Sequence, residues 1–217
     1  MQQIYCISGL GADQQIFKKL NIKGVTLLPV HWADYDRHDD LPCYAQKISA
    51  QITAENPVIL GLSFGGMIAS EIAKIRPVKQ LFLLSSAKDA TELPPVGGFV
   101  RFIVDRKLVP TSLSKIPNKV MYERFGVKTD EEKKLLMDIL RHTDGGFTRW
   151  ALKSILNWQS KDHVDNIIHI HGTNDKMIFP EFVKPTYWIE GGTHFMTWQR
   201  AGEIATLIER HLHRPAF

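Results

Sequence analysis

The run Pro57-Val58-Ile59-Leu60-Gly61-Leu62-Ser63-Phe64-Gly65-Gly66 constrains the fold more than any other part of the chain. Val58 to Leu60 is apolar without alternation, which reads as a strand buried on both faces, as in a parallel sheet. Met67, Ile68, Ile72 and Ile75 then recur on one side of a helix that Arg76-Pro77 ends. Strand passes into helix through Gly-x-Ser-x-Gly with almost no loop. So tight a turn strains the backbone of Ser63, and its neighbours two residues away must be small. Gly61 and Gly65 stand there, and Gly66 adds room where helix and strand nearly touch.

The chain holds 10 serines and 15 glycines in 217 residues. Random placement gives roughly 0.05 matches to such a pattern, so its weight comes from the strand before it and the helix after it. A serine lifted out of a strand in this way is a nucleophile elbow. The plainer reading is an ordinary glycine-rich strand-to-helix turn carrying a surface serine.

A chain of 217 residues is expected to form a single domain, 1–217, with a sizeable core. Net charge is +4, and no basic stripe points to nucleic acid. The positive excess lies in residues 88–161, with 14 Lys/Arg against 9 Asp/Glu, a pattern that favours an anionic substrate or merely solvates helix faces. Cys6 reads as a small buried residue, and Cys6 and Cys43 make no disulfide framework. The N-terminus lacks a basic stretch followed by an apolar run, and no segment is long enough to span a bilayer. The expectation is a cytoplasmic protein without membrane contact, monomeric or a small homo-oligomer.

Strand and helix alternate, which predicts a three-layer α/β/α sandwich around a mostly parallel sheet of about six strands. Strands are expected at Ile4–Ser8, Val25–Val30, the elbow strand, Leu81–Ser85, Ile167–Ile170 and Thr186–Ile189. Helices are expected over 13–20, 42–54 and about 200–212. Asp39 or Asp40 can cap the second of these, with Pro42 in its first turn. Residues 88–160 break the alternation with three or four helical segments, one opened by a Thr129/Glu132 capping box. This block reads as a helical lid inserted after the fourth strand, over a core of 1–87 and 161–217. Ligands bind at the carboxyl ends of parallel strands, where such an insertion sits. Phe99, Phe102, Ile103, Trp150 and Trp158 are its candidate pocket residues, with packing between lid and sheet as the alternative.

A serine hydroxyl is a weak nucleophile and needs a base, which in turn needs an orienting group. Of nine histidines, His194 lies in Glu190-Gly191-Gly192-Thr193-His194-Phe195, a glycine-rich loop after the last strand. His169 and His171 share one face of a strand and read as packing residues, and His211 and His213 as solvent-facing ones. Asp175, in the turn after the fifth strand, is the candidate acid. Asp89, just past the fourth strand, is its rival. Asp175 completes the chain order serine, acid, histidine. The developing oxyanion needs two backbone N–H donors. Phe64 can supply one, at a helix N-terminus. Leu10 can supply the other, in Ser8-Gly9-Leu10-Gly11-Ala12-Asp13. That turn lacks the third glycine of a dinucleotide fingerprint and the lysine of a P-loop. The acidic and histidine-rich run His31–Asp40 misses the calcium-loop pattern, so neither metal nor organic cofactor is expected.

Glycine turn, Gly-x-Ser-x-Gly, acid loop and Gly-Gly-x-His, in this order, resemble the α/β-hydrolase family over nearly the whole chain. The resemblance implies a serine hydrolase acting on a small-molecule carboxylic ester through Ser63, with a parallel sheet and a lid. Two positions depart from many relatives. Ser8 stands where they have histidine before the oxyanion turn, and Leu62 where they have histidine before the nucleophile. Hydroxynitrile lyases of related pattern carry lysine directly after the catalytic histidine, and this chain has Phe195. Thioester hydrolysis, C–C cleavage and ligand sensing on the same fold are the alternative functions.

Overall fold

The computed structural model describes residues 1–95, 119–161 and 164–212. Six strands form one parallel sheet in the order β2-β1-β3-β4-β5-β6. They are β1 (Gln2–Ile7), β2 (Val25–Val30), β3 (Val58–Leu62), β4 (Gln80–Leu84), β5 (Ile167–Gly172) and β6 (Tyr187–Ile189). Alternation along each strand divides the core in two. Ile4, Cys6, Leu60, Phe82 and Leu84 face one side, and Tyr5, Ile7, Ile59, Leu81 and Leu83 face the other. Helices α1 (Leu41–Ser49) and α2 (Phe64–Ile75) cover the second side. The last helix, over Ala201–Leu212, covers the first through Ile204 and Ile208.

Between β4 and β5 lie α3 (Lys119–Phe125), α4 (Asp130–His142) and α5 (Gly145–Leu156). Thr129 and Glu132 form the expected capping box of α4, and Asp144 caps α5 by accepting from the Phe147 N–H. After β6 come the short α6 (Met196–Gln199) and then α7, the helix Ala201–Leu212. Among the described residues no helix is long and apolar enough to cross a membrane.

Several expectations change in detail. The helix expected over 13–20 is a single 3₁₀ turn, Gln14–Phe17, capped by Asp13. The same connection must make the Gly9–Ala12 turn and return to the start of β2, which leaves length for one turn only. α1 ends at Ser49, and Ile52 packs from a following turn in which its N–H donates to the Ser49 carbonyl. His211 is half-buried, and its Nε2 lies 2.9 Å from the Tyr187 hydroxyl. His213, Phe99, Phe102 and Ile103 lie outside the described residues.

The strand order reverses between β1 and β3, whose last paired residues are Ile7 and Gly61. In open parallel sheets that reversal leaves a crevice at the carboxyl ends of the strands. The turns after β1 and β3 therefore meet there, and they carry Leu10 and Ser63.

Candidate active site

Ser63 has φ 52° and ψ −121°, a conformation that costs an ordinary residue roughly 1–3 kcal/mol. Packing holds it there. A Cβ on Gly61 would come within 2.5 Å of the Gly66 Cα, and one on Gly65 within 2.1 Å of the Ser8 carbonyl oxygen. The Ser63 N–H donates to the Leu84 carbonyl at 2.9 Å. The Ser86 hydroxyl donates to the Ser63 carbonyl at 2.7 Å. The turn is thus pinned from β4 as well as from β1.

His194 and Asp175 converge on this serine. The His194 Nε2 lies 3.0 Å from Ser63 Oγ, and its Nδ1 lies 2.8 Å from Asp175 Oδ2. With the ring proton on Nδ1 facing the carboxylate, Nε2 is free to accept from the serine hydroxyl. The other carboxylate oxygen accepts from the N–H groups of Met177 and Ile178 at 2.8 and 3.0 Å. Asp175 is only 2% exposed. Burial alone would raise its pKa, but His194 beside it, the hydrogen bond between them, nearby His171 and the Met177 N–H hold it below its ordinary value.

Asp89, the rival acid, is occupied elsewhere. Its carboxylate accepts from the Thr91 N–H at 2.7 Å and caps a 3₁₀ turn. Phe64 is the first residue of α2, directly after Ser63. The turn bearing Leu10 abuts the serine, since a Cβ placed on Gly9 would lie 3.5 Å from Ser63 Cβ. The Ser8 hydroxyl closes this turn by donating to the Ala12 carbonyl at 2.6 Å. Phe64 and the turn bearing Leu10 therefore both adjoin Ser63.

Ser63, His194, Gly9 and Leu10 border a cavity of about 400 Å³. Apart from Thr143 and Thr148 its other walls are apolar or glycine. They include Leu62, Phe64, Met67, Ile178 and Phe195 from the sheet side, and Met121, Phe125, Leu136, Leu140, Leu152 and Ile155 from α3–α5. Among the described residues that line it none carries a fixed charge. Trp150 and Trp158 take the packing alternative and lie in the core. Trp150 lies tilted against Tyr44, ring centroids 4.5 Å apart, and donates to the Asp39 carbonyl. Trp158 donates to Glu71 at 2.8 Å. An indole N–H is satisfied most readily by a fixed buried acceptor, which draws both rings away from the cavity. The leucines of α4 and α5 take their place as walls. Their helical spacing is visible in the sequence, but a core face and a cavity face share that period.

The acidic run after β2 serves the backbone. Asp40 caps α1 through the Cys43 N–H, Asp39 pairs with Lys47 at 2.5 Å, and Asp36 accepts from the His38 N–H at 2.8 Å. Among the described residues no group of three or more His, Cys, Asp or Glu side chains is arranged to hold a metal ion.

His169 and His171 lie beneath the site, 1% and 0% exposed, with rings edge to face at 5.3 Å. Burial lowers both pKa values, and the neighbouring His171 lowers that of His169 further. Both therefore stay neutral in the folded protein and gain protons on unfolding below their ordinary value of 6.5. Their contribution is complete above that pH and is lost as pH falls toward the depressed folded values. The unfolding midpoint should therefore drop as pH falls below 6.5. It should drop less steeply in His169→Gln, as thermal melts across that range can measure.

No family model matches the sequence, and no curated protein matches it. Solved structures do. The N-acyl homoserine lactonase AidH, complexed with N-butanoyl homoserine, superposes with TM-score 0.71 at 19% identity, over 100% of this chain and 92% of its own. An esterase from Exiguobacterium antarcticum gives 0.72 at 17% identity, over 99% and 92%. A bromoperoxidase from Bacillus anthracis gives 0.72 at 12% identity, over 98% and 92%. One architecture carrying such different chemistries leaves function to be argued from the site. A parallel six-stranded sheet flanked by helices, matched end to end by these structures, gives this chain the α/β-hydrolase fold.

Proposed function

We propose that this protein hydrolyses an uncharged aliphatic carboxylic ester through an acyl-enzyme on Ser63. The unbroken hydrogen-bonded series Ser63–His194–Asp175, opening on an apolar cavity, supports this reading most. Ser63 Oγ attacks the acyl carbon while His194 Nε2 takes its proton. The C–O bond to the alcohol then breaks, and His194 returns the proton to the departing oxygen. Asp175 stabilises the imidazolium. The N–H groups of Leu10 and Phe64 receive the oxyanion, the second with the help of the α2 dipole. A water deprotonated by His194 then attacks the acyl carbon, the bond from that carbon to Ser63 Oγ breaks, and His194 returns the proton to Oγ as the acid leaves. Two of the solved neighbours are by name an esterase and a lactonase, and a lactone is a cyclic ester.

The cavity walls favour alkyl chains over charged ones, because a carboxylate buried among leucines finds no partner. Each buried methylene is worth about 0.8 kcal/mol, so kcat/KM should climb about fourfold per methylene until the cavity is filled. Rates on p-nitrophenyl esters from acetate upward test this, with a half-ester of a dicarboxylic acid as the charged comparison. A profile that is flat in chain length, or preference for the charged ester, would contradict the reading. Turnover in heavy-oxygen water should place the label in the released acid.

A further inference from the structure

The side chain of Gln199 hydrogen-bonds the loop carrying His194 to the insertion between β4 and β5. Gln199 Nε2 donates to the Gly126 carbonyl at 3.0 Å. Because that carbonyl can only accept, the amide orientation is fixed, and Oε1 is left to accept from the Thr193 hydroxyl at 2.8 Å. The same hydroxyl accepts from the Phe195 N–H at 3.2 Å. Thr193 and Phe195 flank His194 on both sides.

Contact at this point is unusually close. Gly126 has φ +73°, and a Cβ there would lie 2.3 Å from the Thr193 Cβ. Glycine alone lets the turn after α3 approach the histidine loop so nearly. The residue before it, Phe125, sets its ring edge to face against the His194 ring at 5.6 Å. Phe125 and Met121 of α3 also wall the cavity. One segment thus contacts the substrate space, the histidine ring and the histidine loop.

We infer that Gln199 is a positioning residue that makes the alignment of His194 on Ser63 depend on the docking of the turn at Gly126. This rests on the proposed hydrolytic role of Ser63. With the amide in place, α3 and the His194 loop form one unit, and a chain filling the cavity against α3 steadies the base that attacks its ester. With the Gly126 link cut, the imidazole loses a fixed distance to Ser63 Oγ, while the Ser63 elbow stays pinned by β1 and β4. A misplacement of about 1 Å at a reacting group costs on the order of a hundredfold in rate.

Gln199→Glu tests the link with almost no change of shape. Its carboxylate still accepts from Thr193 but meets the Gly126 carbonyl without a proton to donate. Gln199→Ala removes both bonds. Gln199 is half-buried at a helix end, so both variants should fold, which thermal melts would check. The expected result at pH 7.5 is a fall in kcat of about 10- to 100-fold in both variants, with KM changed far less. In Gln199→Glu, but not Gln199→Ala, the ratio to wild type should recover as pH falls toward 5, because a protonated carboxyl donates to Gly126 again. A role in stability alone would lower the melting temperature without that recovery. Wild-type kcat in both variants, or a loss in Gln199→Glu that is independent of pH, would overturn the inference. Fluorophosphonate labelling run in parallel separates the two layers. Wild-type protein that takes no label contradicts the hydrolytic reading itself, whereas labelled wild type with unaffected variants contradicts only the positioning role.

Discussion

His194→Ala should lower kcat about a million-fold on any ester the wild-type protein turns over. In the proposed mechanism the imidazole acts four times, twice accepting a proton and twice giving one back, so no step proceeds normally without it. Ser63→Ala should lose about as much, and the double variant should lose little more. Residues that act as one unit are not additive, since removing either already idles the other. What survives should be roughly 10³–10⁴-fold over water, from the two N–H donors and from binding. Asp175→Asn should fall between, about 10⁴-fold, because the amide favours the wrong imidazole tautomer. Single-turnover rates on one activated ester across the four variants check the pattern. A double variant equal to the product of the singles would mean that Ser63 and His194 act independently.

Gly65→Ala should be among the most destabilising single methyl additions to this chain. Its Cβ would sit 2.1 Å from the Ser8 carbonyl oxygen and 2.5 Å from that of Ile7. Both are backbone atoms of the end of β1 and the turn that follows, so no rotamer change relieves the clash. β1 lies between β2 and β3 and cannot shift without disturbing both ladders. Overpacking of well-packed cores costs typically about 1–3 kcal/mol, and a clash against fixed backbone belongs at or above the top of that range. Urea unfolding should show a loss of at least about 3 kcal/mol, or no soluble folded protein. Gly24→Ala is the control. Gly24 also has a positive φ of +73°, but a Cβ added there would meet nothing within 4 Å. It should lose only the conformational cost of placing alanine there, about 1 kcal/mol.

The elbow was legible in the sequence because its constraints are local. A strand, a turn and a helix in immediate succession must all be compatible, and Gly61, Gly65 and Gly66 mark where backbones touch. The sheet was legible for a similar reason, since Ile4–Ile7 of β1, Val58–Leu62 of β3 and Leu81–Leu84 of β4 are buried on both faces and carry no charged residue. The sequence leaves a residue's fate open where it depends on a distant partner. Trp150 and Trp158 fit a pocket wall or a packed core equally by composition, and the Asp39 carbonyl and Glu71, far along the chain, decide for packing by accepting from their indole N–H groups. The approach of Gly126 to Thr193 joins segments far apart in the chain, and no period or motif announces it. Gln199 looks like an ordinary polar residue at the end of a helix, and only its two bonds reveal more. Chain order alone favours Asp175 over Asp89. The structure adds that the Asp89 carboxylate is engaged with Thr91, while that of Asp175 meets His194.

A fluorophosphonate probe, followed by peptide mapping, tests the central claim most directly. It needs no knowledge of the ester and reports whether one serine is both activated and reachable. A single adduct on Ser63, absent in His194→Ala and after heat denaturation, is the predicted result. Folded wild-type protein that takes no adduct, or takes it on another serine, would contradict the assignment of Ser63 as the nucleophile.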